Sequence, residues 1–181
     1  MRNMEILSQM FKDNARVELQ EEYGKHFVVL REPQASDSFA TIKGMPSDSV
    51  VIKVDTFRSP DDIFKGNMGE CKRADYVIIS AEKKRILYIE IKRTKDSWEQ
   101  IVKQLTGAEC FVKYCQEIGK AFWKEQDFLR DYKHRFISIG HTSIAKRKTR
   151  TEKIAKKHDS PNIAMKIDWP SYLQFNQLAG A

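Results

Sequence analysis

The chain has 181 residues, 41% of them hydrophobic, which suits one packed core and is short for two. It holds no apolar run of membrane-spanning length, and its first residues lack the apolar stretch and small-residue site of a secretory signal, so a soluble cytoplasmic protein is expected. The formal charge of +7 is concentrated, since residues 146–157 hold seven basic side chains and one acidic one.

In chain order, residues 4–23 place Leu7, Met10, Phe11 and Val17 at helical intervals ahead of a stop at Gly24, predicting a first helix. Strands are expected over 26–31 and 49–57, joined by a connection from Glu32 to Asp48 that contains Pro, Gly and Ser. A breaker-rich loop over 58–69 follows. Residues 74–80 and 86–92 are dense in β-branched and aromatic side chains around a polar turn, the pattern of an antiparallel hairpin. The period then becomes helical over 98–116, with Trp98, Ile101, Val102, Leu105, Ala108, Val112 and Cys115 on one stripe and an N-cap at Asp96 or Ser97. This helix should cover one face of the sheet. Residues 135–140 and 163–167 predict two more strands, and 172–178 a short closing helix.

Between those last strands runs the basic segment. Lys146, Arg147, Lys148, Arg150, Lys153, Lys156 and Lys157 would grip a nucleic-acid backbone through sequence-independent contacts; a solvated loop is the alternative. The three cysteines are too few and too scattered for a disulfide framework and suit a reducing compartment. A zinc site from Cys110, Cys115, His134 and His141 is disfavoured, because helix positions five apart point in different directions. None of the four histidines accompanies a nucleophile with an acidic orienter, and phosphate-binding glycine loops are missing. Trp98, Phe111, Tyr114, Phe122 and Trp123 read as core rather than as base-stacking residues. Tyr88, on the face of Glu90, reads as a cross-strand packing partner that borders the site.

The hairpin carries the chemistry. Residues two apart on a strand share a face, so Glu90 and Lys92 project together while Leu87, Ile89 and Ile91 point away. Closure with Ser80 opposite Arg85 sets Asp75 across from Glu90 on that same face; a slip of one residue would turn Asp75 over. Two carboxylates so close repel unless a cation lies between them, and a divalent ion with oxygen ligands, Mg²⁺ or Mn²⁺, answers that need. Such an ion activates water and neutralises charge on a phosphoryl centre, with Lys92 holding the water or countering the phosphate.

These residues resemble the PD-(D/E)XK nuclease superfamily over roughly residues 50–140. The resemblance implies an α/β, restriction endonuclease-like fold, a central mixed β-sheet flanked by α-helices. It assigns Asp75 and Glu90 to the metal together with the backbone carbonyl of Ile91, and Lys92 to catalysis. Gln104, on the following helix, matches a catalytic Gln of several members, and Glu70 is an additional candidate ligand for metal or water. Ala74 stands where the family has its Pro, and Glu18, Glu21 and Glu22 compete for the glutamate that some members take from the first helix. An acidic residue two before a lysine occurs four times (Glu70/Lys72, Glu82/Lys84, Glu90/Lys92, Asp131/Lys133), and only Glu90/Lys92 has the strand, preceding Asp and following helix. The expected activity is metal-dependent endonucleolytic hydrolysis of DNA, in restriction, phage defence or repair, by a two-fold dimer or a subunit of a larger complex. The alternatives are a noncatalytic nucleic-acid-binding or interaction subunit with the same fold, and cleavage of RNA.

Overall fold

The computed structural model describes residues 2–32, 35–92, 96–140, 157–168 and 172–180, with the backbone alone over 35–38. Its core is a six-stranded mixed sheet in the order β1-β5-β6-β7-β8-β9, formed by Arg16–Val17, Val50–Lys53, Tyr76–Ser80, Arg85–Lys92, Lys133–Gly140 and Met165–Asp168. β1, β5, β6 and β7 pair antiparallel, and β7, β8 and β9 parallel. The β7-to-β8 crossover is made by α2 (Trp98–Phe122), because parallel neighbours need a long connection. Ser97 begins α2 as its N-cap, accepting from the Gln100 N–H at 3.2 Å, a contact worth about 1 kcal/mol.

α2 lays Ile101, Leu105, Ala108, Val112 and Cys115 on Val77, Ile79, Ile86 and Tyr88, and α1 (Arg2–Met10) adds Ile6 and Leu7 to this layer. The other face, with Leu87, Ile89 and Ile91, is covered differently from expectation. A four-stranded sheet of Tyr172–Gln174 (β10), Ala35–Met45 (β4), Lys25–Glu32 (β3) and Gln20–Glu22 (β2), in that order, packs there through Val28, Leu30, Ile42 and Leu173, joined by Phe175 and Leu178 of α3 (Phe175–Ala179). The architecture is therefore α/β with mixed sheets, helices on one face and mainly a second sheet on the other.

Several expected elements differ. The first helix ends at Met10, after which a short 3₁₀ turn over Asp13–Ala15 leads to β1 and then to β2 (Gln20–Glu22). Gly24 ends no helix. With Tyr23 it forms the turn between β2 and β3 (Lys25–Glu32), both residues at positive φ (51° and 72°), the conformation a two-residue hairpin loop demands. The connection 32–48 contains β4 (Ala35–Met45), eleven residues long, and the strand expected over 49–57 is only Val50–Lys53. Residues Tyr172–Gln174 form β10, parallel to β4, before the closing helix begins. Among the described residues no helix is long and apolar enough to cross a membrane.

Candidate active site

The β6-β7 hairpin has the anticipated register, Ser80 facing Arg85 and Tyr76 facing Ile89. Asp48 pins its turn, accepting from the Ser80 hydroxyl at 2.9 Å and from the Glu82 N–H at 2.7 Å. A slipped pairing would break both bonds. Alternation then carries Glu90 and Lys92 along the α2-facing row of Ile86 and Tyr88, and Asp75 along that of Val77 and Ile79.

Asp75 sits just past the end of β6, where its Oδ2 accepts from the Ile91 N–H at 2.7 Å and its carbonyl accepts from the Val54 N–H at 2.9 Å. In a strand the N–H and C=O of one residue point to the same edge, so the Ile91 carbonyl also faces the Asp75 side. Glu90 is completely buried. Lys92 Nζ pairs with Glu90 Oε1 at 3.0 Å, and beyond that pairing and a weak approach of the Asp75 N–H neither Glu90 oxygen has a well-formed hydrogen bond.

Desolvation pushes both carboxyls well above the ordinary carboxylate range, into the neutral range. For Asp75 the Ile91 N–H and the Lys92 charge oppose it; for Glu90 the Asp75 charge reinforces burial, and Lys92 and the Asp75 N–H oppose it. Burial also works against the Lys92 charge, but Glu90 and Asp75 outweigh it and its titration moves up. Two buried carboxyls with one lysine paired to Glu90 form a site short of positive charge.

That shortage predicts a pH dependence. A carboxyl that binds its proton more tightly in the folded state than in the unfolded one contributes stability that is present in acid and lost as pH rises through its folded pKa. Without divalent metal, the melting temperature is expected to fall between about pH 5 and about pH 8. An Asp75→Asn, Glu90→Gln double variant should abolish the fall, separating it from the whole-molecule charge. Differential scanning fluorimetry in EDTA reads both; an equal slope in the two proteins would assign the effect elsewhere.

The site opens on a cavity of about 190 Å³ lined by Glu32, Asp55, Arg73, Asp75, Ile91, Lys92 and Gln104. Gln104 reaches it from the first half of α2, and its Oε1 is buried without a hydrogen-bond partner. Asp55 follows β5 and is raised by burial, against backbone hydrogen bonds and the charges of Lys53 and Arg73. Glu32 arrives at the end of β3, where the Tyr76 hydroxyl donates to the Arg31 carbonyl at 2.5 Å and accepts from the Arg31 N–H at 3.1 Å, tying the two sheets together. Asp55, Arg73 and Glu32 were not candidates from the sequence. Asp55 and Glu32 did leave a trace as acids closing apolar strand patterns.

Other expected residues lie elsewhere. Glu70 lines a separate groove, its carboxylate accepting from the N–H groups of Gly66 and Met68 at 2.9 Å each. Glu21 and Glu22 are exposed on the far edge strand of the second sheet, and Glu18 lines a third depression. Tyr88 is indeed a packing residue, its hydroxyl 3.0 Å from His134 Nδ1 and its ring stacked on Phe136. Tyr114 and Phe122, expected in the core, are 66% and 78% exposed. Of the basic segment, Lys146, Arg147, Lys148, Arg150, Lys153 and Lys156 lie outside the described residues; Lys157 is exposed, and its carbonyl accepts from Arg135.

Among the described residues, no three His, Cys, Asp or Glu side chains stand close enough to cage an ion by themselves. A cation here would need the Ile91 carbonyl and retained water besides the two carboxylates, a donor set of hard oxygens that suits Mg²⁺, which ordinarily keeps several waters. The unsatisfied Glu90 oxygens are the observation that fits it. No protein-family model matches the chain, and neither a curated protein nor a solved structure matches it.

Proposed function

We propose that this chain is a metal-dependent nuclease of the PD-(D/E)XK type with a restriction endonuclease-like fold, hydrolysing DNA phosphodiester bonds. The reading rests chiefly on Asp75 and Glu90, two buried carboxyls on one face at the open end of a hairpin, the second without a well-formed hydrogen bond and beside Lys92. Asp75, Glu90 and the Ile91 carbonyl would hold Mg²⁺ or Mn²⁺. When bound, that ion supplies Lewis-acid polarisation of the phosphate and a more acidic water. Lys92 keeps its proton, orients the attacking water and offsets negative charge accumulating on the phosphoryl oxygens. Gln104 accepts a hydrogen bond from the water through its unpartnered Oε1. Asp75 commits Oδ2 to the Ile91 N–H, which would leave its other oxygen for the cation.

The test is conversion of supercoiled plasmid to nicked and linear forms with Mg²⁺ or Mn²⁺, against an EDTA control and the variants Glu90→Ala and Lys92→Ala. Metal-dependent cutting by the wild type alone is the expected outcome. DNA binding by all three proteins with cutting by none would leave the noncatalytic binding subunit as the function.

A further inference from the structure

Next to this site the loop over 58–72 lies against α2, leaving a groove of about 510 Å³, within the roughly 300–1,000 Å³ typical of small-ligand sites. Phe64 and Met68 of the loop, and Phe111 and Tyr114 of the helix, make its apolar lining. Three of these are open to solvent: Met68 is 80% exposed, Tyr114 66% and Phe64 53%. Single exposed apolar residues are ordinary, whereas a cluster of them around a groove marks a contact surface.

The charge at the groove selects the ligand. Lys72, Arg73 and Lys103 line it against one acid, Glu70, whose oxygens are occupied by two backbone N–H groups. Lys103 pairs with Glu99 at 2.7 Å, but Glu99 is 74% exposed, and an ion pair that open is worth little and can be exchanged for a phosphate. Arg73, whose guanidinium donates to the Phe57 carbonyl, lines both this groove and the cavity of Asp75, Lys92 and Gln104, so the two share one residue. Open aromatic rings beside cations suit a nucleobase and its phosphate, a base stacking on the ring while the backbone lies along the positive charge. A base still paired in a duplex keeps its faces inside the stack and cannot enter.

We infer that the groove binds an unpaired nucleotide of the strand being cut, its base against Phe64 and Tyr114 and its phosphate at Lys72, Arg73 and Lys103. The preferred substrate then carries a single-stranded stretch beside the cleaved bond. The position of the strand rests on the nuclease reading, but the binding itself does not require cutting.

The experiment is fluorescence anisotropy of the full chain with labelled oligothymidylate and with a blunt duplex of equal length, in EDTA. Oligothymidylate should bind more tightly than the duplex. A Phe64→Ala, Tyr114→Ala double variant changes exposed positions; it should lose at least about fivefold in affinity for the single strand and little for the duplex. Lys72→Ala and Lys103→Ala should each lower the dependence of log Kd on log salt by about 0.7 for the single strand. Equal losses for both ligands, or no loss in the aromatic variant, would overturn the inference. If the variants behave as expected but the wild type never cuts plasmid with metal, the groove stands and the nuclease assignment falls. If the wild type cuts and the aromatic variant binds the single strand normally, the reverse holds.

Discussion

Replacing Glu90 by Gln should lower DNA cleavage by at least about 10²–10³-fold and, without metal, leave a protein more stable than the wild type. The two effects have one cause. A fully buried carboxyl with no well-formed hydrogen bond is costly to ionise, and Gln removes that charge at nearly the same shape. Removing one member of a buried ion pair usually destabilises through the charge left behind. Here that charge is Lys92, whose side chain is 23% exposed and retains Asp75 as a partner. The net gain should be about 1–2 kcal/mol, a rise of roughly 2–8 °C in melting temperature. Thermal melts in EDTA and plasmid cleavage in Mg²⁺ read the two halves separately. A lower melting temperature would mean that the ion pair with Lys92 stabilises the fold, and undiminished cleavage would remove Glu90 from catalysis.

Gly107→Ala should destabilise the protein by about 2–4 kcal/mol, although propensity alone predicts a gain near 1 kcal/mol for Ala over Gly inside a helix. Gly107 lies within α2, and a Cβ there would stand 1.7 Å from the Lys72 carbonyl oxygen and 2.8 Å from its carbonyl carbon. Backbone cannot rotate out of the way as a side chain can, so either α2 lifts from the sheet or residues 72 and 73 move. Two residues later comes Asp75, and Arg73 lines its cavity, so lost cleavage should accompany lost stability. Chemical denaturation measures the first, and the plasmid assay on protein folded at low temperature measures the second. A variant as stable as the wild type would mean that the loop does not rest on the helix there.

The hairpin was legible because each of its constraints is local. β-branched composition marked two strands, a polar turn fixed their spacing, and period-two alternation placed Asp75, Glu90 and Lys92 on one face. The helix after it was legible from its stripe, although it runs to Phe122 rather than residue 116. The second sheet was not legible. β4 carries Ser, Gly and Met within Ala35–Met45, a composition that reads as loop, and it is held as a strand by pairing with β3 on one side and β10 on the other. The first-helix pattern failed for a related reason: Val17 and its neighbours suit a helical stripe, yet Arg16 and Val17 pair with Ile52 and Val51 of β5. Asp55, Arg73 and Glu32 come from three separate chain segments, and only tertiary pairing brings them to one cavity.

The order in which the layers are synthesised constrains when the molecule can become competent. Leu87, Ile89 and Ile91 back the strand that carries Glu90, and their covering includes Leu173, Phe175 and Leu178, more than eighty positions further along the chain. Arg85 and Arg135 donate to the carbonyls of Ala179 and Leu178, holding that late segment against the sheet. A nascent polypeptide still lacking those residues leaves one flank of its central strand wet, so rigid placement of the acidic pair must await synthesis and docking of that late segment. A polypeptide without residues 172–180 would therefore leave Leu87, Ile89 and Ile91 partly uncovered and the strand carrying Glu90 without its full backing.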